Sequence, residues 1–216
     1  SVVTDVQAAN GSYPASEAFA RQELKRLAEE WTAAQPNGAI VLERQSLPAS
    51  TGLRNFSNRY PDNSGVFVTD RYSGLAAVTG AYGQFSHSNE VWWTLAYNGG
   101  IGAVYVGPPE FEPDNNAYSL TIAVPIYQPN SREVIGILHT RYRLQTVVNQ
   151  LAGVSVGSTG EAMLFNESGL RLDTTSTEEI RIPPNEWEAV VGAQWRTGQF
   201  QSRQSMIAQA FVITDS

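Results

Sequence analysis

Between residues 14 and 35 the apolar positions Phe19, Leu24, Leu27 and Trp31 recur near helical spacing, with charged residues between them. That spacing predicts an amphipathic helix, with Pro14 suited to its first position and Pro36 ending it. The preceding VVTDVQAAN reads either as a shorter helix or as the end of a longer one. Residues 46–60 carry a weaker helical pattern. The period then changes to two. GVFVTD (65–70) and YSGLAAVTG (72–80) predict two strands about a tight turn, with Asp70 capping it. Residues 89–98 predict a helix. IGAVYVG (101–107), AYSLTIAVPIY (117–127) and EVIGILHTRYRL (133–144) predict three more strands. The last two are joined by QPNS (128–131), where Pro and Asn both favour turn geometry. A helix over 144–152 ends at Gly153.

Five strands in antiparallel hairpins, interrupted by helices, predict an α+β fold. After Gly153 the theme restarts in miniature. GEAMLFNESGLRLDT (160–174) reads as strand, turn, strand; residues 183–194 read as a helix and 198–214 as a hairpin. VFVTDRYSGLAA and AMLFNESGLRLD both set an acid or amide and then Ser-Gly-Leu between apolar runs. This weak repeat predicts two related modules, over 37–152 and 153–216, the second smaller.

Strand alternation sorts the side chains into faces. Ala103 and Tyr105 share one face; so do Ser119, Thr121 and Ala123, and so do Ile137, His139 and Arg141. Aromatic residues crowd the same region: Tyr82, Phe85, Trp92, Trp93, Tyr97, Tyr105, Phe111 and Tyr118. A face of small and polar residues beside an aromatic helix suits a small-molecule cavity. It equally suits an ordinary core with Tyr and Arg side chains reaching out to water. The pattern leaves both open.

Composition narrows the function classes. The 216-residue chain has a net charge of −7, with one Lys (Lys25) among 14 basic residues and no basic run. Nucleic acid is therefore not an expected partner. The absence of cysteine excludes thiol catalysis, disulfides and Cys-based zinc sites. No apolar run approaches the roughly 18 residues of a membrane span. The start at Ser1 and the stop after a strand-like run suggest an excised fragment.

Chemical motifs are sparse. GVSVG (153–157) matches GxSxG, but a helix precedes it and a strand follows, the reverse of a nucleophile elbow. His87 and His139 are too few and too scattered for a metal site. EFEPDNNAY (110–118) lacks the spacing of a calcium loop. Neither a cofactor, a metal nor a catalytic set is expected.

The ordered series VFVTD, EVWW, GAVYVG, LTIAVPIY and VIGIL resembles the extracellular double-Cache, PAS-like sensor domains of bacterial receptors. The resemblance covers roughly residues 14–175. It implies a long N-terminal stalk helix (1–36) packed on two PAS-like modules, each a central antiparallel sheet flanked by helices. The distal module (37–152) would bind a small molecule, and the stalk helix would pass the signal through the membrane to a histidine kinase, chemotaxis or cyclic-dinucleotide output. It implies an extracytoplasmic location, membrane attachment only through flanking segments, a possible homodimer, and no enzymatic activity in this fragment. The alternative is a structural or dimerising ectodomain that answers to a protein partner.

Relatives that bind amino acids carry an Arg, an aromatic pair, a Tyr in the following loop and an Asp on the final strand. The corresponding residues here are Glu90, Trp92 and Trp93, Phe111 and Arg141. Both charges are thus reversed. The resemblance implies Trp92 and Trp93 as walls, and Tyr105 and Tyr118 as lining or hydrogen-bonding groups. Arg141 would be the anchor and Glu90 or Asp114 its counterweight; His139 joins the set beside Arg141. The implied ligand is an amino acid, an amine or a small carboxylate. Arg141 suits an anionic group and the indole faces suit an apolar or cationic one.

Overall fold

A computed structural model describes residues 1–34, 36–114, 116–156, 160–173, 179–191, 195–200 and 203–208, without the side chains of 155–156, 189, 195–200 and 203–208. The chain divides into two compact units, one of residues 1–110 and 119–144, the other of residues 111–118 and 145–216.

The first unit opens with four helices, α1 (Val2–Gly11), α2 (Glu17–Ala34), α3 (Ala39–Ser46) and α4 (Pro48–Arg59). The strands are β1 (Asn63–Asp70), β2 (Leu75–Val78), β3 (Tyr105–Glu112), β4 (Ala117–Tyr127) and β5 (Val134–Arg143), with α5 (Val91–Tyr97) between β2 and β3. They form one sheet in the order β2-β1-β5-β4-β3. The β1–β2, β1–β5 and β4–β5 pairs are antiparallel. The α+β expectation and its five strands therefore hold.

The sheet has apolar cover on both faces. On one, Val66, Val68, Ala77 and Ile135 cluster with Val6 and Ala9 of α1 and Ala49 and Leu53 of α4. On the other, Phe67, Val78, Ala123 and Ile137 cluster with Ala20, Leu27 and Trp31 of α2, Ile40 and Val41 of α3, and Trp92, Trp93 and Ala96 of α5. The break between α1 and α2 sends the two helices to opposite faces. The Ser16 carbonyl accepts from Ala20 N at 2.8 Å, so α2 starts after Pro14, which the spacing had placed inside the helix.

Three further boundaries differ from expectation. The weak helix at 46–60 is α4 alone, and α3 before it went unpredicted. Leu47 is extended (φ −62°, ψ 149°) because Pro48, at the start of α4, disfavours a helical residue before it. Strand β3 begins at Tyr105, not residue 101. Gly102 N and Ala103 N bond back to the carbonyls of Tyr97 and Ala96, so this stretch closes α5 and is not available to a ladder. Gly100 and Gly102 allow it by their positive φ, 91° and 83°.

Both sheet edges carry distinct chemistry. On the four-residue β2, Val78 N donates to Ser50 Oγ at 3.0 Å, and Ser50 Oγ donates to Arg44 O at 2.5 Å. The other edge, β3, contains Pro108 and Pro109.

The second unit holds α6 (Gln145–Ala152), short strands β6 (Ser155–Val156) and β7 (Gly160–Glu161), α7 (Pro184–Val191), and the hairpin β8 (Trp195–Phe200) and β9 (Arg203–Ala208). The strand-turn-strand expected over 160–174 shrinks to β7 and isolated bridges, among them Phe165 to Arg171. The hairpin starts three residues earlier than residue 198; the expected helix end (192–194) and hairpin end (209–214) lie outside the described residues.

The internal repeat is visible as one turn made twice. In the first unit Asp70 Oδ1 accepts from Tyr72 N (2.8 Å) and Gly74 N (3.0 Å), and Asp70 N donates to Gly74 O (2.8 Å). In the second, Asn166 Oδ1 accepts from Ser168 N (3.0 Å) and Leu170 N (2.9 Å), and Asn166 N donates to Leu170 O (2.9 Å). The positive-φ residue is the fourth of each turn, Ser73 (77°) and Gly169 (76°). The capping role expected of Asp70 is met. Superposed by that role, the two Ser-Gly-Leu strings are offset by one residue.

Candidate functional site

The site expected from the sequence lies on the sheet face covered by α5 and the loop of residues 79–90. Trp31 Nε1 of α2 donates to Tyr82 O at 2.6 Å, fixing the loop to that helix. Register then decides which side chains meet. Phe67, His139 and Ala123 are partners across β1, β5 and β4, so all three leave on one face. Ser64, Arg141 and Thr121 form the next row.

The first row is filled by rings. Phe67 stacks on His139 (centroids 4.4 Å apart) and on His87 (4.9 Å). Trp92 lies 4.5 Å from His139, 5.3 Å from His87 and 5.9 Å from Phe67. Trp93 turns the other way: its Nε1 donates to Thr69 Oγ1 at 2.9 Å, and its ring stacks on Tyr97 at 4.8 Å. Both tryptophans are buried, whereas Val91 and Leu95 on the same helix face water. A seven-residue helix thus spends its inward side on packing.

Two buried imidazoles stand in this row. His139 Nδ1 lies 2.9 Å from Gly65 O, which makes it the protonated nitrogen of a neutral ring. His87 is held by its backbone, N to Ser73 O at 3.1 Å, and its buried Nε2 has no partner. Burial pushes both rings down from 6.5 to about 4. The neighbouring His139 adds to this for His87; for His139 the Gly65 carbonyl opposes it and Arg141 adds to it. In the sequence His87 stands alone, too isolated for a metal site, and Phe67 and Thr69 are ordinary positions of a predicted strand. No local signal marks them, because their meeting depends on strand register and on where the 79–90 loop folds back.

The second row is polar and more open. Arg141 is exposed, while Ser64 and Thr121 are half-buried. Tyr105 of β3 leans over Gly107: a Cβ there would stand 3.1 Å from its hydroxyl and 3.5 Å from Thr121 Cβ. Glu90 is half-buried at the N-terminus of α5, and its side chain does not cap the helix. Of the nine residues expected at the site, Glu90, Trp92, Trp93, Tyr105, His139 and Arg141 belong to this unit. Trp92 and His139 are in direct contact. Phe111 at the end of β3, Asp114 after it and Tyr118 at the start of β4 are counted with the other unit, residues 111–118 being its share of these two strands. There Phe111 packs edge-on against Tyr118 at 5.3 Å, and Asp114 is exposed at the turn after β3.

Among the described residues no group of three or more His, Asp or Glu could hold a metal ion, and no helix is long and apolar enough to cross a membrane. A solvent-facing hollow along α2, lined by Pro14, Phe19, Glu23 and Arg26, includes none of the expected residues.

No protein-family model matches the chain, and no curated protein does. Solved structures do. The sensory domain of the Campylobacter jejuni chemoreceptor Tlp3 with isoleucine bound is 13% identical, with a TM-score of 0.53 over 95% of this chain and 81% of that one. The ligand-binding domain of the Pseudomonas aeruginosa amino acid chemoreceptor PctC in complex with GABA is 13% identical, with a TM-score of 0.51 over 87% of this chain and 82% of that one. A second Tlp3 structure, in complex with 4-methylisoleucine, gives 12% and 0.51, over 95% and 80%. The chain has the fold of the ligand-binding domains of bacterial chemoreceptors, that is, of Cache-type sensor domains. At these identities the likeness is one of fold.

Proposed function

We propose that this chain is the extracytoplasmic sensing part of a bacterial transmembrane receptor, without enzymatic activity of its own. In this reading its first unit receives a small molecule on the polar row beside the ring cluster. The observation that carries it is the step between two rows of one sheet face. Phe67 and His139 are sealed under Trp92 with Ala123 buried beside them, whereas Arg141 is exposed and Ser64 and Thr121 are only half-buried. A wall of aromatic surface next to a few fixed polar groups is the usual make-up of a small-molecule site. Arg141 would hold an anionic group, Glu90 a cationic one, and Tyr105 would supply a hydroxyl. The solved structures of this fold include complexes with isoleucine and GABA, which supports an amino acid or another small carboxylate or amine as ligand.

Ligand energy reaches the membrane only if it favours one of two conformations. The N-terminal helices are the natural conduit, since α1 and α2 pack on opposite faces of the same sheet. A histidine kinase, a chemotaxis domain or a cyclic-dinucleotide enzyme would serve as output, and a homodimer as the working state. A thermal-shift screen of amino acids, amines and small carboxylates tests the site. A ligand at 100 times its dissociation constant stabilises by about 2.7 kcal/mol. Arg141→Ala is expected to weaken a hit at least tenfold; unchanged affinity refutes the anchor.

The second reading, a structural or dimerising ectodomain that answers to a protein partner, is favoured by the rings that fill the first row. A screen without any hit, with a partner protein captured on the same face, would decide for it.

A further inference from the structure

We propose that the His87–Phe67–His139 stack makes the first unit respond to acid, protonation of the imidazoles releasing α5 and the 79–90 loop from the sheet. This input is a proton and does not depend on the small-molecule reading. Three observations carry it. First, both rings are nearly sealed, His87 being 8% and His139 6% exposed, so a charge on either would sit away from water. Second, neither has an anionic partner among the described residues. His139 bonds a backbone carbonyl, and His87 Nε2 bonds nothing. Third, both rest on one phenyl ring, 4.4 and 4.9 Å from its centre. Stacking on Phe67 returns part of the lost hydration to one imidazolium. A second imidazolium on the same ring repels the first.

The charged and titratable groups around the stack do not relieve this. Arg141, two residues along β5, adds a positive charge. From the loop comes the Tyr82 ring, 4.9 Å from Phe67. From β1 comes the Thr69 hydroxyl, taken by Trp93. Glu90, at the start of α5, bonds the His87 carbonyl through its backbone amide at 3.0 Å, and its carboxylate makes no bond to either imidazole. Trp92, which touches all three rings of the stack, is what a protonated pair would displace.

The direction follows from linkage. A native state that holds its histidines neutral takes up fewer protons than an opened one below pH 6.5. Closure is therefore complete above that value and is lost as the pH falls from 6.5 through about 4. Because Trp92 rides on α5, its near-ultraviolet circular dichroism reports the release.

The test is a titration of the whole chain from pH 7.5 to 3.5. Tryptophan near-ultraviolet dichroism, far-ultraviolet dichroism and the histidine Cε1–H resonances are followed together. The wild type is expected to lose the tryptophan signal with a midpoint between 4 and 6.5 while its helix signal persists, and both histidines are expected to titrate below 6.5. His87→Phe keeps the stack without the orphan nitrogen, and His139→Asn keeps a donor for Gly65 O; each should lower the midpoint by at least half a pH unit. Asp70→Asn removes the one buried carboxyl among the described residues that titrates in the same range, and should leave the midpoint in place. Histidines that titrate at 6.5 with a flat tryptophan signal overturn the proposal. So does a midpoint the two histidine variants do not move, or one that vanishes in Asp70→Asn. If either histidine variant fails to fold, the wild-type histidine titration alone decides.

Discussion

Trp93 and Thr69 offer a direct measure of how firmly α5 is fastened to the sheet. Their hydrogen bond spans 2.9 Å between a fully buried hydroxyl and an indole that is 9% exposed. Trp93→Phe removes the bond, worth about 1 kcal/mol. It also leaves Thr69 Oγ1 with only a 3.5 Å contact to Ile137 O, an unsatisfied buried hydroxyl costing about 1–3 kcal/mol. The smaller ring adds a cavity cost of about 1 kcal/mol. The expected loss is about 3–5 kcal/mol. Thr69→Val strands the indole N–H instead and should cost about 1–3 kcal/mol. In the double variant neither partner is left unpaired, so the two losses should fall short of additive by about 1 kcal/mol. Urea unfolding gives the totals, and native-state exchange of the β1 and β5 amides reads this unit separately from the other. Losses that add to within about 0.3 kcal/mol would show that α5 is held by burial alone and that the bond contributes nothing specific.

Two further outcomes follow from the packing. Burial pushes the Asp70 carboxyl from 3.8 up to about 6, against the pull of the nearby Tyr13 hydroxyl and of its bonds from the Gly74 and Tyr72 amides. The native state therefore keeps this proton where the unfolded chain has released it, and the contribution is lost as the pH rises through about 6. Asp70→Asn, which retains the acceptor for both turn amides, should gain on the wild type by about 3 kcal/mol between pH 4 and 7. A gap between the urea midpoints of the variant and the wild type that is the same at pH 4 and pH 7 would refute this. Gly136→Ala would set a Cβ 2.2 Å from Thr69 O and 2.9 Å from Val6 Cγ1, where backbone cannot yield. The variant should lose about 3 kcal/mol or more by overpacking β5 against both β1 and α1, seen as a collapse of thermal stability; a wild-type melting temperature would show that the β1 backbone and α1 can both give way here.

The elements with strong periodicity were legible in the sequence. The apolar spacing of Leu27 and Trp31 marks α2, and the alternation around Ala123 and His139 marks β4 and β5 and even their shared face. The failures have physical causes. Helix α3 is short, and Leu47–Pro48 breaks its pattern from that of α4. The apolar run before Tyr105 resembles a strand, yet its amides close α5. The repeat was legible in composition but misaligned, because the turn is defined by what Asp70 and Asn166 accept and not by the Ser-Gly-Leu string. At the candidate site the sequence supplied Trp92 and His139 but not the rings between them. Phe67 and His87 come together only through a register and a loop path that no local pattern encodes. Strand alternation put Arg141 on the face of Ile137 and His139, and register adds its partners across the sheet, Ser64 and Thr121.

The two edges of the sheet bear on how the protein behaves when concentrated. An exposed strand with free amides is a template on which another chain can add, and the bare apolar side chains of Val104 and Val106 would make such growth worse. Here the short edge at β2 has its Val78 amide occupied by Ser50, and the long edge at β3 has no amide to offer at Pro108 and Pro109. Neither side invites a sixth strand. Filament growth by edge addition is thereby discouraged at both ends, and crowding should leave the sheet at five strands.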